Sequence, residues 1–195
     1  TKCPLEKTKS DMSYKSLKAC VDDLAGNGHL VRVAEEVDPC LEMAEIQRRL
    51  YAAGGPAVLF ERVRGTAFPA VANLFGTPER CQFLFRHTLE RVRKILQIKA
   101  DPAAAIRHPL TFASAPFTAW KSLPKKVRGG AVLEHTASIS DLPAIKSWPD
   151  DGGPFITLPQ VYTEDPLQPK TLTSNLGMYR VQLSGNEYEN DREVG

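Results

Sequence analysis

Apolar residues in the first part of the chain alternate between helical and strand-like spacing. The predicted first helix has apolar residues at every third or fourth position: Leu17, Cys20, Val21 and Leu24. Ser13 is its predicted cap. Short apolar runs typical of strands follow, separated by further helical patterns. The predicted order of helix, strand, helix, strand, strand, helix is typical of a small α/β unit.

Three dipeptides of one kind mark further predicted helix starts. In each, a polar side chain can cap the helix while the proline occupies its first turn. They are Asp38-Pro39, Thr77-Pro78 and Asp101-Pro102. The helical pattern that follows Pro78 extends to Lys99, with a predicted break near His87.

The pattern changes at the charged, glycine-containing run 125–130. Beyond it, short strand-like runs alternate with proline-containing turns. Residues 155–158 and 161–163 are predicted strands, and residues 172–183 are predicted to return as one strand. We therefore predict an α+β chain, with a flexible tail at 1–12, an α/β domain at 13–125 and an incomplete antiparallel β-domain at 126–195.

Composition narrows the possible functions. Of the 195 residues, 42% are hydrophobic and 25% are charged, which is typical of a globular protein. A formal charge of +2, with basic residues spread along the chain, does not favour nucleic-acid binding. No apolar run is long enough to span a membrane. The four cysteines form no CxxC pair, which favours reduced thiols in a cytoplasmic protein over a zinc site.

Several common catalytic signatures are absent from the sequence. There is no GxGxxG, P-loop, GxSxG or HExxH pattern, so nucleotide binding of those types, an α/β-hydrolase and a zinc protease are not indicated. Asp150 and Asp151 precede a Gly-Gly-Pro turn, and we interpret the pair as a solvated loop.

One stretch near the carboxyl end combines an amide, a glycine and an arginine within six residues. It contains Asn175, Gly177 and Arg180 in a strand-like run. Alternation along a strand would place Arg180 on the same face as Met178 and opposite Tyr179. Taken alone, the stretch is most simply an edge strand with a solvated arginine.

Four sequence blocks change that interpretation. They are residues 54–61, 72–80, 152–157 and 175–183. In this order and at these distances they resemble the amino-terminal part of the UbiD-like decarboxylase family. The resemblance implies an α/β domain followed by the first strands of a split β-barrel that binds prenylated FMN. It also implies non-oxidative, reversible decarboxylation of aromatic or α,β-unsaturated carboxylic acids.

The resemblance assigns roles to five residues. Asn175 matches a family ligand for Mn²⁺ or Mg²⁺, with K⁺ as a further candidate ion, and its amide oxygen suits such hard cations. Thr157, Met178, Tyr179 and Arg180, together with Asn175, match residues that bind the cofactor. Arg180 also matches a catalytic arginine that can hold the substrate carboxylate in a bidentate grip.

The resemblance also implies partners. A flavin prenyltransferase would supply the cofactor, and a homo-oligomer or a complementing chain would complete the assembly. The second metal ligand, a histidine in many relatives, is expected just after Gly195, with catalytic glutamates further on, so we expect the isolated chain to be inactive. One alternative is a non-catalytic partner subunit that completes a barrel with another chain. Another, a generic FMN-binding split-barrel oxidoreductase, leaves 54–61 and 73–80 unexplained.

Overall fold

A computed structural model describes residues 14–121, 123, 127–130, 133–168 and 173–185. The predicted tail at 1–12 and the predicted cap Ser13 lie outside these residues. The helices are α1 (Leu17–Gly26), α2 (Glu42–Ala52), α3 (Pro78–Leu84), α4 (Leu89–Ala100), α5 (Pro102–Arg107), α6 (Pro109–Phe112) and α7 (Ala115–Lys121). The strands are β1 (Leu30–Val37), β2 (Ala57–Val63), β3 (Ala70–Ala72), β4 (Phe155–Ile156), β5 (Gln160–Glu164), β6 (Ser174–Met178) and β7 (Val181–Gln182).

A three-stranded sheet organises the amino-terminal part. Strands β1 and β2 are parallel and joined by α2, while β3 pairs with β2 in the antiparallel sense. Successive side chains of β2 point to opposite faces. Ala57 therefore packs with Leu24 of α1, whereas Val58 and Phe60 pack with Met43 of α2. This arrangement confirms the predicted α/β unit.

The predicted helix starts are confirmed at two of the three dipeptides. Thr77 caps α3 by accepting a hydrogen bond from the backbone N–H of Arg80, and Asp101 caps α5 in the same manner. The predicted break near His87 is also confirmed, since α3 and α4 are separate helices.

The predicted start at Asp38-Pro39 is wrong, because α2 begins at Glu42. The Asp38 carboxylate accepts a hydrogen bond from the N–H of Cys40, two residues on, in a local turn. The N–H of Leu41 donates to the carbonyl of Lys146, far along the chain. That long-range pairing holds Leu41 at a φ of 69°, outside the helical region, and delays the helix.

Two separate two-stranded ribbons form the carboxyl-terminal part that the structure describes. Strand β4 pairs with β7, and β5 pairs with β6, both in the antiparallel sense. The prediction of one return strand at 172–183 is therefore wrong. The strand is interrupted at Tyr179 and Arg180, and its two halves pair with different partners. Among the described residues, no helix has the length and apolar character needed to cross a membrane.

A connecting segment around Ile145 and Lys146 joins the amino-terminal α/β unit to the carboxyl-terminal ribbons. The N–H of Lys146 donates to the carbonyl of Pro39, and Ile145 packs against the cluster around Phe60. The carbonyl of Ile145 in turn accepts a hydrogen bond from the N–H of Phe155 at the start of β4. The segment therefore connects the first ribbon, formed by β4 and β7, directly to the α/β unit.

Candidate functional site

The first two sequence blocks, 54–61 and 72–80, meet in a buried polar cluster. The Asn73 side-chain amide donates to the carbonyls of Gly55 and Pro56. The guanidinium of Arg80, which is 2% exposed, donates to the carbonyls of Leu74, Gly55 and Asn73. These bonds satisfy polar backbone groups that burial would otherwise leave unpaired.

Gly76 completes this cluster, because a Cβ atom there would collide with the Asn73 side chain. Asn73 itself has a positive φ of 59°, a conformation that asparagine tolerates better than most residues. The two blocks therefore form one packed scaffold, in which Asn73, Gly76 and Arg80 have structural roles.

Strand pairing and a contact of Arg180 join the last two blocks, 152–157 and 175–183. Phe155 pairs with Gln182 across the β4–β7 ribbon. The guanidinium of Arg180 lies over the Phe155 ring, 4.0 Å from its centre, a cation–π contact. Its Nη2 atom also donates to Oδ2 of Asp151 at 3.1 Å.

A cavity of about 470 Å³ lies between the α/β unit and the first ribbon. The scaffold contributes Asn73 and Phe75, and α2 contributes Tyr51. Thr157 and Arg180 line it from the ribbon side. Each part of the chain supplies only some of the walls, so the cavity exists because the connecting segment joins the parts.

The structure brings two of the five predicted site residues to this cavity, Thr157 and Arg180. The other three, Asn175, Met178 and Tyr179, are not among its lining residues. They lie on β6 or just after it, and all three are exposed. The Asn175 amide nitrogen donates to the Tyr179 hydroxyl at 3.4 Å, a long hydrogen bond.

Asn175 is the residue of this set that suits a metal ion. When its amide nitrogen donates to Tyr179, the amide oxygen is the atom left to coordinate a hard divalent cation. Within the described ranges, no group of three or more His, Cys, Asp or Glu side chains could hold a metal ion. Among the described residues, Asn175 is thus a candidate for a single ligand position.

Asp151 is a residue that the sequence interpretation missed. The prediction of a solvated loop is wrong for this residue, because its side chain is only 12% exposed. Its Oδ2 atom accepts hydrogen bonds from the backbone N–H groups of Ser147 and Trp148 as well as from Arg180. Burial acts to raise the pKa of Asp151, but the Trp148 N–H and the Arg180 guanidinium outweigh it and lower the pKa below its ordinary value.

Two domain profiles match the sequence. The 3-octaprenyl-4-hydroxybenzoate carboxy-lyase (UbiD) N-terminal domain matches residues 21–99. The Rift-related domain of the same carboxy-lyase matches residues 101–192. Together they span nearly all of the chain from residue 21 to residue 192.

Known proteins that match the chain are, by name, also a decarboxylase subunit and a UbiD-class enzyme. A Chlamydia pneumoniae protein, named as one subunit of a 4-hydroxybenzoate decarboxylase, is 39% identical over 167 residues, which is 78% of this chain and 26% of that protein. An evolved dimeric form of the UbiD-class enzyme HmfF of Pelotomaculum thermopropionicum, solved with prFMN, matches with a TM-score of 0.59 and 26% identity, covering 87% of this chain and 36% of that chain.

A third match supports the fold alone. The vanillic acid decarboxylase ShVdcCD of Sedimentibacter hydroxybenzoicus, in its closed form, has a TM-score of 0.68 at 24% identity, covering 95% of this chain and 37% of that chain. The chain spans only 26–30% of the length of the chlamydial proteins that it matches.

Proposed function

The chain belongs to the UbiD family, and from that premise we propose that it is the amino-terminal portion of a prenylated-FMN-dependent decarboxylase. The reaction would be non-oxidative and reversible, on an aromatic or α,β-unsaturated carboxylic acid. The observation that carries the proposal is the position of Arg180, which lines a cavity between the two parts of the chain. HmfF, a family member, has been solved with prFMN and with FMN.

Arg180 is the residue that we assign to the substrate carboxylate. Its side chain is 44% exposed, and within the described residues Asp151 engages only its Nη2 atom. The remaining guanidinium donors can form the planar, paired hydrogen bonds that carboxylates accept. A lysine would keep the charge and lose this fork geometry.

The same proposal gives roles to the residues near β6. Asn175 would coordinate Mn²⁺ or Mg²⁺, with K⁺ as a further ion, and the other ligands would come from protein beyond the described residues. Thr157, Met178 and Tyr179 would contact the cofactor. Prenylated FMN, supplied by a flavin prenyltransferase, would provide the chemistry of carbon dioxide loss, while the residues of this chain bind and orient the acid.

The second domain would be the beginning of a split β-barrel, completed by further protein. The two described ribbons leave strand edges that other strands can pair with. We therefore propose that the chain is inactive alone and works as part of a longer or multi-chain enzyme. The alternative is a non-catalytic subunit that completes a barrel with another chain. The name of the Chlamydia pneumoniae relative, which describes a decarboxylase subunit, favours keeping that alternative.

Decarboxylation assays test the proposal. The chain is supplied with prenylated FMN, Mn²⁺ and 4-hydroxybenzoate, alone and together with the remaining part, about three-quarters, of the Chlamydia pneumoniae relative, of which this chain matches 26%. We expect carbon dioxide release only from the combination, and a loss of at least about a hundredfold with Arg180→Ala. Arg128→Ala, which alters another exposed arginine, is the control.

The outcomes separate the alternatives. Turnover by the chain alone contradicts the expected inactivity. An Arg180→Ala combination that keeps full turnover contradicts the role of Arg180 and supports the non-catalytic subunit.

A further inference from the structure

The Asp151 carboxylate, on a glycine-rich turn, accepts three hydrogen bonds through one of its oxygen atoms. One carboxylate oxygen, Oδ2, accepts from two backbone N–H groups, those of Ser147 at 3.3 Å and Trp148 at 3.1 Å. The same atom accepts from Nη2 of Arg180 at 3.1 Å. Three donors on a side chain that is 12% exposed fix the carboxylate in one place.

Arg180 is held on two sides by these contacts. Asp151 binds one edge of the guanidinium, and the Phe155 ring lies 4.0 Å beneath its flat face. A free arginine side chain samples many rotamers, so two fixed contacts remove most of that freedom. What remains unengaged, among the described residues, is the part of the guanidinium that carries Nε and Nη1.

Ser147 and Trp148, which anchor Asp151, line the same cavity as Arg180. The turn that holds the carboxylate is therefore part of the cavity wall. Ser147 also follows directly on Lys146, whose N–H donates to Pro39 of the α/β unit. The turn that holds Asp151 is consequently connected to the α/β unit through Lys146, as well as to the ribbon.

We propose that Asp151 is a positioning residue for Arg180, holding one edge of the guanidinium so that the remaining donors face the cavity and receive the carboxylate of the acid. The inference rests on the proposed function for the identity of the ligand. Asp151 acts through Arg180 and does not itself touch the acid. An alternative arrangement, in which Asp151 competes with the acid for Arg180, makes the opposite prediction about affinity.

The first experiment needs no ligand. The Nε–Hε resonance of Arg180 is assigned by its loss in Arg180→Lys and recorded in Asp151→Asn, which keeps the side-chain shape and removes the charge. We expect the resonance to move and broaden in Asp151→Asn and to stay in place in Asp150→Asn. Asp150 is an exposed neighbour of the same type and makes no described contact with Arg180. An unchanged resonance in Asp151→Asn would overturn the proposal.

The second experiment titrates 4-hydroxybenzoate into the chain and its variants, following the same resonance. We expect Asp151→Asn to bind the acid about tenfold more weakly than the wild-type chain, with Asp150→Asn unchanged. Tighter binding by Asp151→Asn would overturn the proposal in favour of competition. If the wild-type chain binds no acid, the proposed carboxylate role fails for this chain, while the ligand-free spectra still decide whether Asp151 holds Arg180.

Discussion

Arg80 and Arg180 lie in two of the four motif blocks and have opposite environments. Arg80 is almost fully buried, and its acceptors are backbone carbonyls. Arg180 is partly exposed at a cavity, with a carboxylate on one edge. The sequence presents both as motif arginines, and only the surroundings separate a structural residue from a candidate catalytic one.

Replacing Arg80 by alanine tests its structural role. We expect Arg80→Ala to lower the free energy of unfolding by about 3 kcal/mol, because buried carbonyls lose their donors. Arg80→Lys should recover only part of that loss, since one ammonium group cannot reach all three carbonyls. Urea unfolding measures both, with the exposed Arg91→Ala as a control expected to stay within about 0.5 kcal/mol. Equal stabilities for Arg80→Ala and Arg91→Ala would contradict this role.

The interruption between β6 and β7 is the element that distinguishes the ribbons from a plain hairpin. The sequence alternation indicates one continuous strand, but the N–H of Tyr179 donates to the carbonyl of Pro159, and β7 pairs with β4 instead of β5. The Tyr179 ring then lies over Gly177, where it fills the space that a Cβ atom would occupy. The position of the Tyr179 ring therefore accounts for a glycine at position 177.

Gly177→Ala tests this packing. The added methyl group meets the far end of the Tyr179 ring, which can rotate away, so we expect a stability change below about 1 kcal/mol. The same movement breaks the hydrogen bond between the Asn175 amide and the Tyr179 hydroxyl. We therefore expect the Asn175 side-chain NH₂ resonances to shift.

The control for this change is Gly129→Ala, because a Cβ atom at Gly129 meets nothing within 4 Å. NMR spectra of the two variants make the comparison. Asn175 resonances that stay in place in Gly177→Ala would contradict the proposed packing of the ring.

At the scale of the whole molecule, the candidate site depends on how the connecting segment holds the two parts together. Ile145 packs on the cluster around Phe60 while its carbonyl accepts from Phe155, so one residue touches both the α/β core and the first ribbon. The cavity is lined from both parts. Its geometry is therefore sensitive to any change that loosens the segment.

Ile145→Ala tests this dependence by hydrogen exchange. Loss of the packed side chain costs about 2 kcal/mol, and we expect the Lys146 and Phe155 amides to exchange at least about tenfold faster. Both amides donate hydrogen bonds along the junction, to Pro39 and Ile145 respectively. Leu167→Ala, at a residue that is 89% exposed, should leave both rates unchanged. Unchanged protection in Ile145→Ala would show that the junction does not need this side chain.

Local patterns in the sequence predict much of the α/β unit, and the family resemblance predicts the candidate residues. Caps such as Thr77 and Asp101 act within a few residues of their own position, so a local pattern is enough to find them. The apolar run at the start of β2 likewise reflects burial on both faces of one strand. Four motif blocks in a fixed order led to the family, and both domain profiles agree with it.

Only the tertiary structure decided the features that depend on distant partners. Helix α2 begins at Glu42, later than predicted, because Leu41 is hydrogen-bonded to Lys146. The last predicted strand is two strands, because β6 pairs with β5 and β7 pairs with β4. Asp151 changed from a solvated residue to the partner of Arg180, 29 positions away. Hydrogen bonds and burial between residues far apart in sequence leave no local pattern, and they determine which polar groups of this chain face the cavity.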